Sequence, residues 1–168
     1  MESTNFSGAD ALLSDFLAQD DVRLLARDAG RLLNCPLLVL DDTFRIAAHY
    51  RPDGFADALF DSAVRMGQIT YEAGAIISKS PLLSEGKPDY IQIENSDHQR
   101  RFAPLICSGV RLGYLICVDR NGDLAERAKE DFHRLEAILA KQLFCLERRG
   151  RIYGTTGEEV LTHLLDGK

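Results

Sequence analysis

The chain of 168 residues is 45% hydrophobic and 27% charged, proportions that are ordinary for a globular protein and that exclude disorder as a class. Its formal net charge of −6 at pH 7 argues against a nucleic-acid-binding surface, which usually shows as a basic patch. The polar residues 1–10 do not resemble a signal peptide, and no apolar run approaches the roughly 20 residues that a membrane-spanning helix needs. We therefore expect a cytoplasmic protein with no membrane partner, which reaches DNA only through another part of its polypeptide.

Side chains that could carry chemistry are scattered along the chain. The cysteines at positions 35, 107, 117 and 145 each lie in an apolar run, and no two of them have the C-x-x-C spacing of a metal site. Such cysteines behave as small apolar residues in a reducing compartment. No two histidines form the i, i+4 pair of a helical metal site, and the sequence has no P-loop, no G-x-S-x-G and no G-x-G-x-x-G. We therefore predict no catalytic residue, no metal and no cofactor, and a protein that is not an enzyme.

Helical periodicity marks both ends of the chain. Residues 1–19 read as an N-terminal arm with a short amphipathic helix, and Asp20 or Asp21 then caps a second helix that ends at Asn34. From Asp123 a helical pattern continues for about seven turns. Overlapping T-x-x-E capping boxes begin a last helix, so we interpret residues 150–168 as a linker toward a DNA-binding region.

The middle of the chain alternates strand and turn signals. Because turns rather than crossover helices join most of the strands, the sheet should be mainly antiparallel. Gly113 predicts a bulge or a close backbone approach, and Pro104 predicts an edge position or a strand start. We expect an α+β fold, a three-layer α/β/α sandwich around a five-stranded sheet. Its strands would span 36–40, 44–50, 90–94, 102–107 and 110–118, with helices at 55–66 and 71–77 and a loop at 80–88.

A ligand site is expected where helices cover one sheet face, because aromatic residues gather in and beside the irregular region 51–94. Arg100 and Arg101 precede a strand, where charge protection of a sheet edge is the favoured interpretation and an anionic ligand is the alternative. His49 lies in a strand, and its simplest interpretation is a partly buried strand histidine without a ligand. The candidate ligand-binding residues are His49, Tyr50, Phe55, Phe60, Tyr71, Tyr90 and Arg101.

A homodimer is also expected. The long helix carries a near-heptad apolar stripe from Ala128 to Leu146, wide enough to face both the sheet and a partner. Pairing of this helix with the N-terminal helices would build a bundle. The candidate interface residues are Leu13, Phe16, Leu135, Leu139 and Leu146.

Three segments resemble known families. Residues 32–41, LLNCPLLVLD, are similar to the opening of GAF-like sensory domains, and Ala103–Ile106 with Val110–Leu115 are similar to their central hairpin. The segment 159–167, EVLTHLLDG, resembles the one that follows the sensory domain in purine-catabolism-regulator (PucR-type) transcription factors. The resemblance implies a GAF-like sensory domain over 20–149, ahead of a C-terminal helix-turn-helix.

The resemblance implies a function in signalling. An unknown small metabolite would bind between the sheet and the 55–78 helices, and the flanking helices would transmit the change. The N-K…F…D-E signature of cyclic-nucleotide-binding GAF domains is missing, as is a cysteine placed for a bilin. Two alternatives stay open: a dimerisation module without a ligand, and a GAF-type methionine sulfoxide reductase, which would need a reactive cysteine near the pocket.

Overall fold

The computed structural model describes residues 10, 13–14, 17–18, 21–94, 96–127 and 129–149. The predicted linker over 150–168 lies outside these residues. None of the helices in the described part of the chain combines the length and apolarity that a bilayer crossing needs. The helices are α1 (Val22–Leu33), α2 (Ala58–Met66), α3 (Tyr71–Lys79), α4 (Pro81–Ser84) and α5 (Lys129–Arg149), with a 3₁₀ turn at Leu124–Glu126. The strands are β1 (Leu37–Asp41), β2 (Ile46–Tyr50), β3 (Asp89–Gln92), β4 (Gln99–Cys107) and β5 (Val110–Val118).

The five strands form one sheet in the order β2-β1-β5-β4-β3, and every neighbouring pair is antiparallel. A two-residue turn joins β4 to β5, and both of its residues have positive φ, 54° at Ser108 and 75° at Gly109. Such turns match the twist of the strands that they connect. The mainly antiparallel five-stranded sheet is therefore confirmed.

Helices cover both faces of the sheet and divide its interior into two apolar clusters. One cluster joins α1 and α5 to strand residues such as Leu37, Val39 and Leu115. The other joins α2 and α3 to alternate residues of the same strands, such as Leu38, Leu40 and Ile116. Because successive side chains of a strand point to opposite faces, the continuous apolar run of β1 supplies both clusters. The structure is the predicted three-layer α/β/α sandwich.

Local sequence signals explain the helix ends. The Asp21 carboxylate accepts the Arg23 backbone N–H at 3.0 Å and caps α1, which ends where Asn34 adopts the left-handed conformation at φ 51°. Asp57 and Thr70 cap α2 and α3 in the same way. The helix predicted from Phe55 starts only at Ala58, because Asp57 takes the N-cap position.

Two details of the predicted elements were wrong, and a third holds only locally. Ser80–Pro88 is not all loop, because Ser80 caps the short helix α4. Pro81 occupies the first turn of this helix, where a backbone N–H has no partner within the helix and its absence costs nothing. The long C-terminal pattern is interrupted, with a 3₁₀ turn before α5 begins at Lys129. Pro104 lies in an inner strand, but it has the predicted edge position locally, because β3 pairs with β4 only as far as Phe102.

Gly113 marks a close backbone approach, as predicted. It lies in β5 opposite Asp41 of β1 and Leu105 of β4. A Cβ atom on Gly113 would lie 1.8 Å from the carbonyl oxygen of Leu40. Only glycine therefore allows β1 and β5 to come this close.

Candidate functional site

A buried ion pair lies on the face of the sheet that α2 and α3 cover. Arg100 of β4 and Asp57 are only 4% and 8% exposed, and the Arg100 guanidinium donates to the Asp57 carboxylate. The same carboxylate accepts the Phe60 backbone N–H at 2.8 Å, because Asp57 is the N-cap of α2. The N-terminus of a helix favours negative charge, so both the helix and Arg100 stabilise the charged form of the Asp57 carboxyl group.

Ser96 completes the polar array. Its hydroxyl donates to the Asp57 carboxylate at 2.9 Å and accepts from the Arg100 guanidinium at 2.6 Å. The guanidinium also donates to the His98 carbonyl at 3.1 Å. Each charged group thus has several partners, as buried charges require. We call Asp57, Ser96 and Arg100 the buried polar array.

Burial and hydrogen bonding act in opposite directions on this array. Burial alone would raise the pKa of Asp57, but the Phe60 N–H, the Arg100 charge and the Ser96 hydroxyl together hold that pKa below its ordinary value of 3.8. Burial lowers the pKa of Arg100, although the Asp57 carboxylate counteracts it. An arginine still keeps its proton at neutral pH, so the site presents a fixed positive charge.

The Arg100 side chain lines a cavity between the sheet and the helices. This sheet–helix cavity has a volume of about 30 Å³. That space accommodates one or two water molecules at most. Arginine is the single charged residue of its wall, which is otherwise nearly all apolar and consists of Leu38, Leu59, Phe60, Ala63, Ile69, Thr70, Ala73, Ile93, Arg100, Phe102 and Ile116.

No protein-family model matches the chain, and no curated protein matches it. Solved structures do. The GAF domain of a protein assigned as a sensor histidine kinase from Pseudomonas syringae pv. tomato aligns with a TM-score of 0.57 at 10% identity, over 92% of this chain and 94% of that one. The chain has the fold of a GAF domain. The blue-light absorbing form of the PixJ GAF domain from Thermosynechococcus elongatus aligns with a TM-score of 0.56 at 13% identity, over 88% and 94% of the two chains.

Two of the predicted ligand residues lie beside the cavity of this GAF-fold chain, and a third is close to it. Phe60 forms part of the wall, and the Phe55 ring packs edge-on against it with centroids 5.4 Å apart. The exposed His49 approaches Phe60 from the sheet edge, with ring centroids 6.5 Å apart. His49 is thus exposed rather than partly buried, contrary to its simplest interpretation.

Three other predicted residues lie on the opposite face of the GAF sheet. Tyr50 and Tyr90 pack against the cluster beneath α1 and α5. Arg101 donates to the Glu136 carboxylate at 2.9 Å and stacks 4.1 Å above the Phe132 ring. With only 4% exposure, Arg101 does not protect a sheet edge, so the favoured interpretation of Arg100 and Arg101 was wrong. The predicted residues therefore do not form one site.

Tyr71 belongs to neither face. It is the first residue of α3, directly after the Thr70 cap, and it is 89% exposed. It does not line the sheet–helix cavity, because the first turn of this helix presents the residue to solvent.

Sequence reasoning missed the buried polar array. Strand alternation contained the signal for Arg100, because a residue two positions before the buried Phe102 shares its face. The position of Asp57 three residues before Phe60 also fits an N-cap. No local pattern brings these two residues together, since 43 positions separate them.

The cysteines bear on the enzymatic alternative. Cys35 and Cys117 are fully buried in the core beneath α1 and α5. A hydrogen bond with Cys35, together with burial, raises the pKa of the Cys117 thiol. A raised pKa disfavours the reactive thiolate.

Among the described residues, no group of three or more His, Cys, Asp or Glu side chains is placed to hold a metal ion.

The predicted interface residues divide between core and surface. Leu135 and Leu139 are 3% and 0% exposed and pack inside the core of their own chain. Leu146 is partly buried against the same core, whereas Leu13 is 42% exposed. Phe16 lies outside the described residues. Among the members of this set that the structure describes, only Leu13 and the free side of Leu146 could face a partner.

Proposed function

We propose that this chain is a small-molecule-sensing domain, with its effector bound between the sheet and helices α2 and α3. The observation that supports this proposal is Arg100, a buried cation held by Asp57 and Ser96 in the wall of an otherwise apolar cavity. Ligand sites combine apolar walls with a few fixed polar groups in this manner. The effector would be an apolar or aromatic molecule carrying a carboxylate or carbonyl for the guanidinium.

The small size of the cavity links binding to a change of shape. The sheet–helix cavity has a volume of about 30 Å³, far less than a metabolite occupies. Helices α2 and α3 must therefore move away from the sheet to admit one. A ligand that binds only the displaced conformation shifts the population toward that conformation. This displacement would be the signal that the domain transmits.

The proposal extends to a cytoplasmic transcription regulator of the PucR type. Its support is the segment 159–167, which resembles the one after the sensory domain in that family. DNA would be contacted through another domain of the polypeptide, because the acidic chain of net charge −6 offers no general attraction to phosphates.

A thermal-shift screen tests the ligand proposal. Its panel contains carboxylates and oxo-heterocycles, and each compound is tested against the wild-type chain, Ala63→Leu and Tyr71→Ala. Ala63→Leu fills the cavity, whereas Tyr71→Ala changes an exposed side chain outside it. A true effector at about 100 times its Kd should raise Tm by about 5–10 °C in the wild type and in Tyr71→Ala. It should raise Tm by less than about 1 °C in Ala63→Leu.

Circular dichroism checks that Ala63→Leu is folded, and Ala63→Val replaces it if it is not. The proposal is contradicted if no compound shifts Tm, or if a hit shifts the filled variant as much as the wild type.

We also propose that the chain forms a homodimer. The support is apolar surface at helical positions of the N-terminal arm, where Leu13 and Leu17 are 42% and 75% exposed. Light scattering should give twice the chain mass of 18.7 kDa at micromolar concentration. Leu17→Glu should shift the equilibrium toward monomer, while Leu82→Glu, at a position 41% exposed on α4, should not. A monomeric wild type at these concentrations contradicts the proposal.

A further inference from the structure

A basic cleft opens at the outer edge of the sheet, between α1 and the end of β2. Arg23, Arg27 and Arg31 succeed one another at four-residue intervals, so about 6 Å of helix rise separates one from the next on the same side of α1. Arg51 and His49 approach from the strand side. The cleft has a volume of about 690 Å³.

Tyr50 joins the two walls of the cleft. Its ring packs so closely on α1 that a Cβ atom at Gly30 would lie 2.2 Å from the ring, so only glycine allows the contact. The contact ties the end of β2 to the middle of the helix. The arginines before and after Gly30 are therefore positioned along a fixed wall.

The charges of the cleft are balanced unevenly. Four arginines and two aspartates, Asp21 and Asp53, line it, so the lining itself carries +2, and Asp28 and Asp61 just outside it approach Arg27 and Arg51. Asp21 contacts Arg23 at 3.2 Å, and Arg51 is bound to the Phe55 carbonyl and lies 3.5 Å from Asp61.

Arg27 and Arg31 are the freest cations of the cleft. The Arg27 guanidinium reaches only a 3.9 Å contact with its neighbour Asp28. The Arg31 side chain has no hydrogen-bond or ion-pair partner within the part of the chain that the structure describes. These two guanidiniums can therefore accept a ligand without first losing a strong protein contact.

We propose that this cleft binds a small polyanion, a molecule with two or more phosphate or carboxylate groups. Guanidinium groups form paired hydrogen bonds with both kinds of anion. The volume lies within the range of small-molecule pockets, about 300–1,000 Å³. A long nucleic acid fits less well, because beyond the cleft it would meet the rest of a chain whose net charge is −6. The site shares no residue with the sheet–helix cavity, so it stands or falls independently of the sensing proposal.

Isothermal titration at low salt tests this site, with sodium tripolyphosphate and citrate as separate probes. Arg27→Gln and Arg31→Gln should each weaken binding of the preferred probe about tenfold, the loss of one charge-assisted contact. Arg111→Gln is the matched control, because Arg111 is an exposed arginine at the opposite end of the sheet. That control should bind like the wild type.

The two probes also separate the sources of the anion. Binding of tripolyphosphate alone assigns phosphates, binding of citrate alone assigns carboxylates, and binding of both supports a general polyanion site. The proposal is overturned if neither probe binds at millimolar concentration, or if Arg111→Gln weakens binding as much as the two cleft variants. It is also overturned if a single-stranded oligonucleotide binds the cleft more tightly than either probe.

Discussion

Replacing Arg100 with methionine is expected to lower the free energy of unfolding by about 3–5 kcal/mol, because it leaves the Asp57 carboxylate buried without its counter-charge. Both side chains of this pair are only 5% exposed, so water cannot take the place of the lost partner. The substitution also removes the donor that contacts Ser96. Urea denaturation monitored by circular dichroism measures the change.

The double variant Asp57→Ser/Arg100→Met is the control for this prediction. Serine keeps an N-cap oxygen for the Phe60 N–H but has no charge, so the double variant should be more stable than Arg100→Met alone. A double variant that is less stable than the single one contradicts the assigned role of the pair.

Acid titration gives a second measurement of the same pair. A carboxyl group with a lowered folded-state pKa adds stability above its unfolded-state pKa, and loses that contribution as the pH falls through the folded-state value. The pKa of Asp57 is held below 3.8 by the Phe60 N–H, Arg100 and Ser96, against the effect of burial. The stability difference between wild type and Arg100→Met should thus be largest near neutral pH and should shrink as acid protonates the Asp57 carboxyl group. A difference that stays constant with pH contradicts the ion-pair explanation.

Replacing Gly113 with alanine is expected to destabilise the fold by more than about 3 kcal/mol. The new methyl group would lie 1.8 Å from the Leu40 carbonyl oxygen, a backbone atom that cannot turn away as a side chain can. This clash is relieved only if β1 and β5 move apart, which disrupts the hydrogen bonding between two inner strands of the sheet. The melting temperature should fall steeply, and the variant should be recovered mainly in aggregated form.

Gly74→Ala is the matched control for this substitution. A Cβ atom at Gly74 meets only the Phe44 ring, at an ordinary contact distance of 3.4 Å. Alanine is also favoured over glycine inside a helix by about 1 kcal/mol. Gly74→Ala should consequently melt at or above the wild-type temperature. A Gly113→Ala variant that melts with the wild type would show that the strands have room to separate.

The sequence predicted the layers better than the contacts between them. Strand periodicity located all five strands, because alternating or continuous apolar runs reflect burial on a sheet. A glycine inside a strand pattern also predicted the close backbone approach at Gly113. The sheet order β2-β1-β5-β4-β3 was not predicted, since it depends on which strands meet in space rather than on any single segment.

The candidate site shows the limit at the level of single residues. Arg100 and Arg101 look alike in the sequence, yet one strand position sends them to opposite faces, toward Asp57 and Glu136 respectively. Tyr71 became a candidate ligand residue because aromatic residues gather in its region, but its place in the first turn of α3 exposes it. In both cases a residue type was interpreted without knowledge of the direction in which its side chain points.

The division of the interior into two apolar clusters has an energetic consequence for the whole domain. The cluster beneath α1 and α5 holds Leu37, Val39 and Leu115, and these side chains do not depend on the helices across the sheet. The layer of α2 and α3 can therefore unfold as a separate cooperative unit while the sheet stays intact, at a free energy below that of global unfolding. Amides of α2 and α3 should then exchange with solvent deuterium before those of β1 and β5, so the layer that covers the buried Arg100 should open before the sheet does.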